Sequence, residues 1–216
     1  MRRLLLCSAL ILPAVAQAHP HIFIETGLEA IVDEQGRLTH VKVTWTYDDF
    51  YSLLITEDMK LDQDFDGVLT AEEEARLTGF DMNWDEGYYG DLVALLGDRN
   101  LTLLRPQDYT ASFADGRVTS THIRAVAEAP VITGGELVLR PFDETFYTAY
   151  DVTLPVSVTG AQACLISKIE PNIDAELEAL QALLADIDAN SNPEDAGLGN
   201  MGERFATDVR ILCAGS

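Results

Sequence analysis

The chain has 216 residues, with 36 acidic against 14 basic and a formal net charge of −22. A field of that sign repels nucleic acid and anionic membrane surfaces and gathers cations, so polyanion partners are excluded at the outset. Hydrophobic residues make up 47%, enough for a sizeable core, so the acidity does not imply disorder.

Residues 1–18 read as an export leader. Met1-Arg2-Arg3 is a basic start, residues 4–15 are apolar, and Ala16-Gln17-Ala18 is a small-x-small cleavage pattern. The apolar stretch is shorter than the roughly 20 residues a spanning helix needs. Cys7 follows leucine, which argues against a lipid anchor. The mature chain is therefore expected to begin at His19, to be periplasmic, and not to insert in a membrane.

Two alternating runs follow. Ile22, Ile24, Thr26, Leu28 and Ala30 share one face, and Thr39, Val41, Val43, Trp45 and Tyr47 share another, with Asp33-Glu34-Gln35-Gly36 as the turn between them. The pattern predicts an antiparallel hairpin pairing Ile22 with Tyr47, Ile24 with Trp45 and Leu28 with Val41. That register sets Asp48 opposite His21, with Asp49 beside it. His19 and His21 would share a face, and cleavage frees an α-amine on His19. Imidazoles, an amine and carboxylates on one patch suit Ni2+, Co2+, Zn2+ or Cu2+. Pro20 has no amide proton, so the square-planar chelate through successive backbone nitrogens is blocked. The alternative is an exposed terminus that happens to carry two histidines. His40 is expected to be solvated opposite Glu29, and His122 to be structural.

Residues 49–61 form a helical stretch entering the most specific motif, Asp62-Gln-Asp64-Phe-Asp66-Gly67-Val68-Leu69-Thr70-Ala-Glu-Glu73. Hard oxygen donors recur at positions 1, 3 and 5, glycine at 6 and a carboxylate at 12, the spacing of an EF-hand calcium loop. Calcium takes six to eight oxygens, so the chain must wrap one point, and Gly67 permits the turn. Val68 offers a backbone carbonyl, Thr70 a side-chain or water-mediated oxygen, and Glu73 two carboxylate oxygens. Leu69 points toward whatever packs behind. The competing reading is an acidic surface turn that resembles the pattern. An exiting helix begins at Thr70, so the insert spans about 49–80.

A further helix is expected over 84–96, ended by Gly97. Strands are expected at 101–104, 109–113, 117–126, 136–140, 147–158 and 164–170, then an amphipathic helix at 173–187, a loop at 188–202 and a last strand at 205–213. The fold class is mainly β, with sandwich-like antiparallel sheets, a helical EF-hand insert and a C-terminal helix, all in one domain over 19–216. Once Cys7 leaves with the leader, Cys164 and Cys213 remain as an even pair. In an oxidising compartment they read as one disulfide closing about 50 residues, contributing roughly 4 kcal/mol in a chain-entropy model. A soft metal site is the alternative, though no histidine lies near either cysteine in sequence.

The cleaved leader, His19-Pro-His-Ile-Phe-Ile24, Thr44-Trp-Thr-Tyr-Asp-Asp-Phe50, the Asp-rich loop and two late cysteines together resemble an uncharacterised bacterial family. It is a domain of unknown function labelled as the periplasmic, substrate-binding component of an ABC-type transport system. Its members are often encoded beside nickel/cobalt-type efflux permeases. The resemblance implies a metal-handling role with an inner-membrane metal-transporter permease as partner. A substrate-binding component normally has two α/β lobes, which this pattern does not show.

Three functions compete. The first is a periplasmic accessory to divalent transition-metal transport, with His19, His21 and Asp48 holding the ion and calcium bracing the fold. The second is a calcium-stabilised structural or interaction domain with no transported ligand. The third, an N-terminal-histidine copper oxidase, needs His122 brought beside His19. No Gly-rich phosphate loop or Ser/His/Asp elbow is present, so the chain does not read as an enzyme.

Overall fold

The computed structural model describes residues 20–160, 163–186 and 200–214. The leader and His19 therefore lie outside the described residues, as does most of the loop expected at 188–202. No helix among the described residues is long and apolar enough to cross a membrane.

The chain is mainly β and builds two sheets. The larger has the order β5 (Leu103–Ala114), β6 (Arg117–Val126), β2 (Leu38–Tyr47), β1 (Ile22–Val32) and β8 (Thr148–Asp151), with β9 (Val156–Thr159) also paired to β1. The smaller runs β10 (Cys164–Ile169), β11 (Asp208–Cys213), β7 (Glu136–Pro141), β3 (Leu92–Leu96) and β4 (Arg99–Asn100). Their apolar faces meet in one core that includes Leu28, Val41, Val43, Leu137, Leu139 and Ile211. The helices are α1 (Asp49–Met59), α2 (Ala71–Leu77) and α3 (Ile173–Asp186), and Gly202–Phe205 adds a 3-10 turn. The helix expected at the C-terminus is thus followed by a strand, β11.

The larger sheet is mixed, because β8 and β9 both run parallel to β1. The strand expected over 147–158 is interrupted between them. Pro155 has no amide proton to give a ladder, yet its carbonyl still accepts from the Leu28 N–H at 3.2 Å. The runs at 101–104 and 109–113 are largely one strand, β5, whose register shifts twice against β6.

The β1–β2 register differs from expectation by two residues: Ile24 pairs with Tyr47, Thr26 with Trp45 and Leu28 with Val43. The turn is the cause. Asp33 and Arg37 close a three-residue loop with Gly36 at φ 74°, and the Asp33 carboxylate accepts from the Gln35 and Arg37 amides. An irregularity at Ile31/Val32 adds a further step. A two-residue slip keeps every side chain on its expected face, so the buried pattern survives while the cross-strand partners change. His40 accordingly sits opposite Ile31, not Glu29.

The helix expected over 84–96 does not form. Gly87 and Gly90 take φ of 90° and 81°, breaking any helix, and Leu92–Leu96 pairs with β7 as a strand. Its apolar residues were ambiguous between the two periods. Cys164 and Cys213 are direct cross-strand partners on β10 and β11 and form a disulfide.

Candidate calcium site and the chamber beside it

Helix α1 starts where β2 ends, and Asp48 makes the junction. Its Oδ1 accepts from the Tyr51 N–H at 2.8 Å as a helix N-cap, and its Oδ2 accepts from the Phe23 N–H on β1 at 2.8 Å. Lys60 ends α1 in the left-handed region, and the Leu61 N–H returns to the Thr56 carbonyl. Leu61, Leu69 and Leu77 are buried and pin the loop and its flanking helices to the core. Position 8 of the motif, Leu69, therefore packs inward as its spacing required.

Within the loop, side chains order the backbone. The Asp62 carboxylate accepts from the Asp66 N–H at 3.0 Å and the Gly67 N–H at 3.2 Å, and Asp66 Oδ1 accepts from the Val68 N–H at 2.8 Å. Gly67 sits at φ 78° with nothing within 4 Å of where a Cβ would lie. Glu73 ties the loop's two ends. Its Oε1 accepts from the Asp62 N–H at 3.0 Å, and its Oε2 accepts from the Thr70 N–H and hydroxyl at 2.8 Å. The Thr70 N–H holds the Glu73 carboxyl below its ordinary range. Carboxylate oxygens of Asp62, Asp64 and Asp66 lie within 4.8 Å of one another. Three anionic oxygen donors with no thiolate or imidazole among them suit a hard cation.

Of the second expected site, His19 lies outside the described residues, and the pairing of Asp48 with His21 does not form. The corrected register puts Asp48 beside Phe23, and both of its carboxylate oxygens accept backbone N–H groups. Asp49 lies 3.6 Å from the Arg117 guanidinium, which also pairs with Glu25. His21 donates its N–H to the Tyr147 carbonyl at 2.8 Å, with its ring 4.8 Å from the Tyr147 ring. His122 is buried on β6, edge-on to Trp45 and Trp84, and burial holds its imidazole down to about 3.

A chamber of about 170 Å3, missed by sequence reasoning, opens between the larger sheet and the segment after α2. Trp45, Tyr47, Tyr51, Trp84, Tyr88 and Tyr150 wall it, and Asp81 and Asp91 face it. Asp81 Oδ2 accepts from the Tyr47 hydroxyl at 2.8 Å and the Ser120 hydroxyl at 2.5 Å, while Asp91 accepts from the Tyr150 hydroxyl at 2.5 Å. Burial pushes both carboxyls up, and these hydroxyls pull them part of the way back. The inward placement of Trp45 and Tyr47 was readable. Expecting a helix over 84–96 concealed the rest.

The sequence profile of one family, described as a protein of unknown function (DUF1007), matches residues 4–213. The chain belongs to that family. No curated protein matches it. The match spans β1 through β11, so the acidic loop and the chamber both lie inside the family's domain.

Proposed function

We propose that this chain is an exported, periplasmic calcium-binding protein whose single EF-hand loop braces the helices over one end of the larger sheet. The convergence of Asp62, Asp64 and Asp66 within 4.8 Å, at the spacing of an EF-hand, carries the reading. Asp62, Asp64, Asp66 and Glu73 would hold Ca2+ with the Val68 carbonyl and Thr70, and the ion would offset the repulsion among the carboxylates. Asp62 fixes the amides of Asp66 and Gly67, and Glu73 joins the loop's first residue to the start of α2. One loop without a second EF-hand suits constitutive bracing better than sensing. Extracellular modules of this kind bind at roughly 10⁻⁴ to 10⁻³ M.

The resemblance supports an accessory role in divalent-metal transport, with an inner-membrane permease as partner. In that setting calcium is resident and Ni2+, Co2+, Zn2+ or Cu2+ is cargo. His19, His21 and Asp48 remain the proposed cargo donors, with both Asp48 oxygens also accepting from backbone amides.

Thermal unfolding of protein beginning at His19, in EGTA and then in calcium, tests the bracing. At a hundredfold excess over Kd the ion should add about 2.7 kcal/mol, raising Tm by about 5–10 °C. Asp62→Ala should abolish the shift, whereas His19→Ala with His21→Ala should keep it. No shift at about 100 mM calcium, a hundredfold above the weakest Kd in that range, would defeat the reading.

A further inference from the structure

Among the described residues, six buried side-chain polar atoms have no hydrogen-bond partner; two belong to residues that line the aromatic chamber and three to residues packed behind its walls. These five are Thr26 Oγ1, Trp45 Nε1, Asp81 Oδ1, His122 Nδ1 and Arg124 Nη1. Thr26, Trp45 and Ser120 are cross-strand neighbours on one row of the larger sheet's inner face. Trp45 is 5% exposed and lines the chamber, and its indole N–H is a buried donor without a partner. Asp81 Oδ1 is the matching unanswered acceptor. Buried groups of this kind are normally satisfied, so the polar interior behind the chamber wall is unusual; the chamber itself presents six aromatic rings and two carboxyl groups to one space.

We propose that the chamber binds a small organic ammonium compound. The cation would lie by the Asp81 and Asp91 carboxyl groups that line the chamber, with its alkyl faces on the rings of Trp45, Tyr47 and Tyr150. Aromatic walls attract a cation through the ring quadrupole, most strongly where water is excluded. Trp45 and Tyr150 stand 5.5 Å apart between centroids, Tyr47 and Tyr51 5.6 Å, and Trp84 and Tyr88 5.2 Å, so the wall is built from three packed ring pairs.

Other occupants fit less well. A metal ion needs converging ligand atoms, and the described residues bring three His, Cys, Asp or Glu donors together only at Asp62, Asp64 and Asp66. An anion would meet two carboxylates. Arg124, the nearest cation, already donates to the carbonyls of Tyr89, Leu103 and Leu104 and lies 5.1 Å over the Trp84 ring. A neutral polyol would leave the buried carboxylate charge uncompensated. At about 170 Å3 the space is below the range for drug-sized ligands and suits a headgroup of a few heavy atoms.

The inference stands apart from the calcium reading, so the test is run on the full chain in both calcium and EGTA. Tryptophan fluorescence and calorimetry would follow titration with tetramethylammonium, choline and ethanolamine, and with 3,3-dimethylbutanol, the neutral isostere of choline. Saturable binding of an ammonium probe with Kd below about 10 mM, at least tenfold tighter than the isostere, is expected. Asp81→Asn, checked for folding by circular dichroism, should weaken it about thirty-fold or more. Equal binding of choline and the isostere, or no saturation by any ammonium probe, would overturn the proposal. That arm needs no variant.

Discussion

The acidic loop and the aromatic chamber both depend on aspartates, yet they treat carboxylate charge in opposite ways. Asp64 and Asp66 are exposed, and solvent keeps the loop carboxylates close together at little energetic penalty. Asp81 and Asp91 sit among rings, where burial pushes both carboxyls up and hydroxyls from Tyr47, Ser120 and Tyr150 hold them in place. On the proposed reading, the loop takes a hard ion delivered from water. The chamber disfavours bare charge, and on the proposed reading it takes a cation that brings its own apolar surface. Identical side chains thus acquire different chemistry from their surroundings alone.

The sharpest way to break that contrast is Arg124→Ala. The change removes three hydrogen bonds to backbone carbonyls and leaves a void beside Trp84, so urea unfolding should show a loss of about 3–5 kcal/mol. Calcium affinity should move less than twofold, because the loop is built locally. A large change in calcium binding would show that the two regions are one unit.

Glycines offer the next comparison. A Cβ on Gly90 would meet the Trp84 ring at 2.5 Å and Arg124 Nη1 at 2.9 Å, at a φ of 81°, whereas one on Gly67 would meet nothing within 4 Å. Gly90→Ala should therefore cost about 2–4 kcal/mol from strain and overpacking, and Gly67→Ala about 1–2 kcal/mol from strain alone. Thermal unfolding in EGTA ranks them. The reverse order would mean that the chamber wall yields more readily than its packing implies.

Titration separates the regions by pH. Burial holds His122 down to about 3, far below an unfolded histidine near 6.5, so the unfolded chain binds the extra proton between those values. Stability from this group is complete above about pH 6.5 and falls by about 1.4 kcal/mol per pH unit as pH drops toward 3. Asp81 and Asp91, pushed up in the fold, act in the opposite sense over the acidic end of that window. Denaturant unfolding at several pH values should show a shallower acid slope for His122→Phe than for the unaltered chain. Parallel slopes would contradict the assignment.

The smallest effect is Tyr47→Phe, which deletes one of the two hydroxyls donating to Asp81 Oδ2. A loss of about 1 kcal/mol with an unchanged urea m value is expected. A gain in stability would mean that the Tyr47 hydroxyl is poorly placed.

The difference between the regions also explains what the sequence made legible. The convergence of Asp62, Asp64 and Asp66 could be read because these residues lie within one short stretch, where spacing alone sets geometry. The inner faces of β1 and β2 were equally plain, since Ile24, Leu28, Val41 and Val43 alternate without a break and a two-residue slip leaves them buried. Partners were another matter. A three-residue turn at Gly36 and the step at Ile31/Val32 moved Asp48 from His21 to Phe23, and periodicity does not encode turn length. The chamber was hidden because it gathers residues from β2, α1, the segment after α2 and β8. Tyr88 and Asp91 had been absorbed into an expected helix that Gly87 and Gly90 break. The direct pairing of Cys164 with Cys213 was reached from an even count, which needs no geometry.

Calorimetric titration of calcium into the protein beginning at His19, beside Asp62→Ala and Glu73→Ala, bears most directly on the central claim. One site is predicted, with Kd between about 10⁻⁴ and 10⁻³ M, and it should vanish in both variants. No binding heat at several millimolar calcium, or binding that survives both substitutions, would contradict the account.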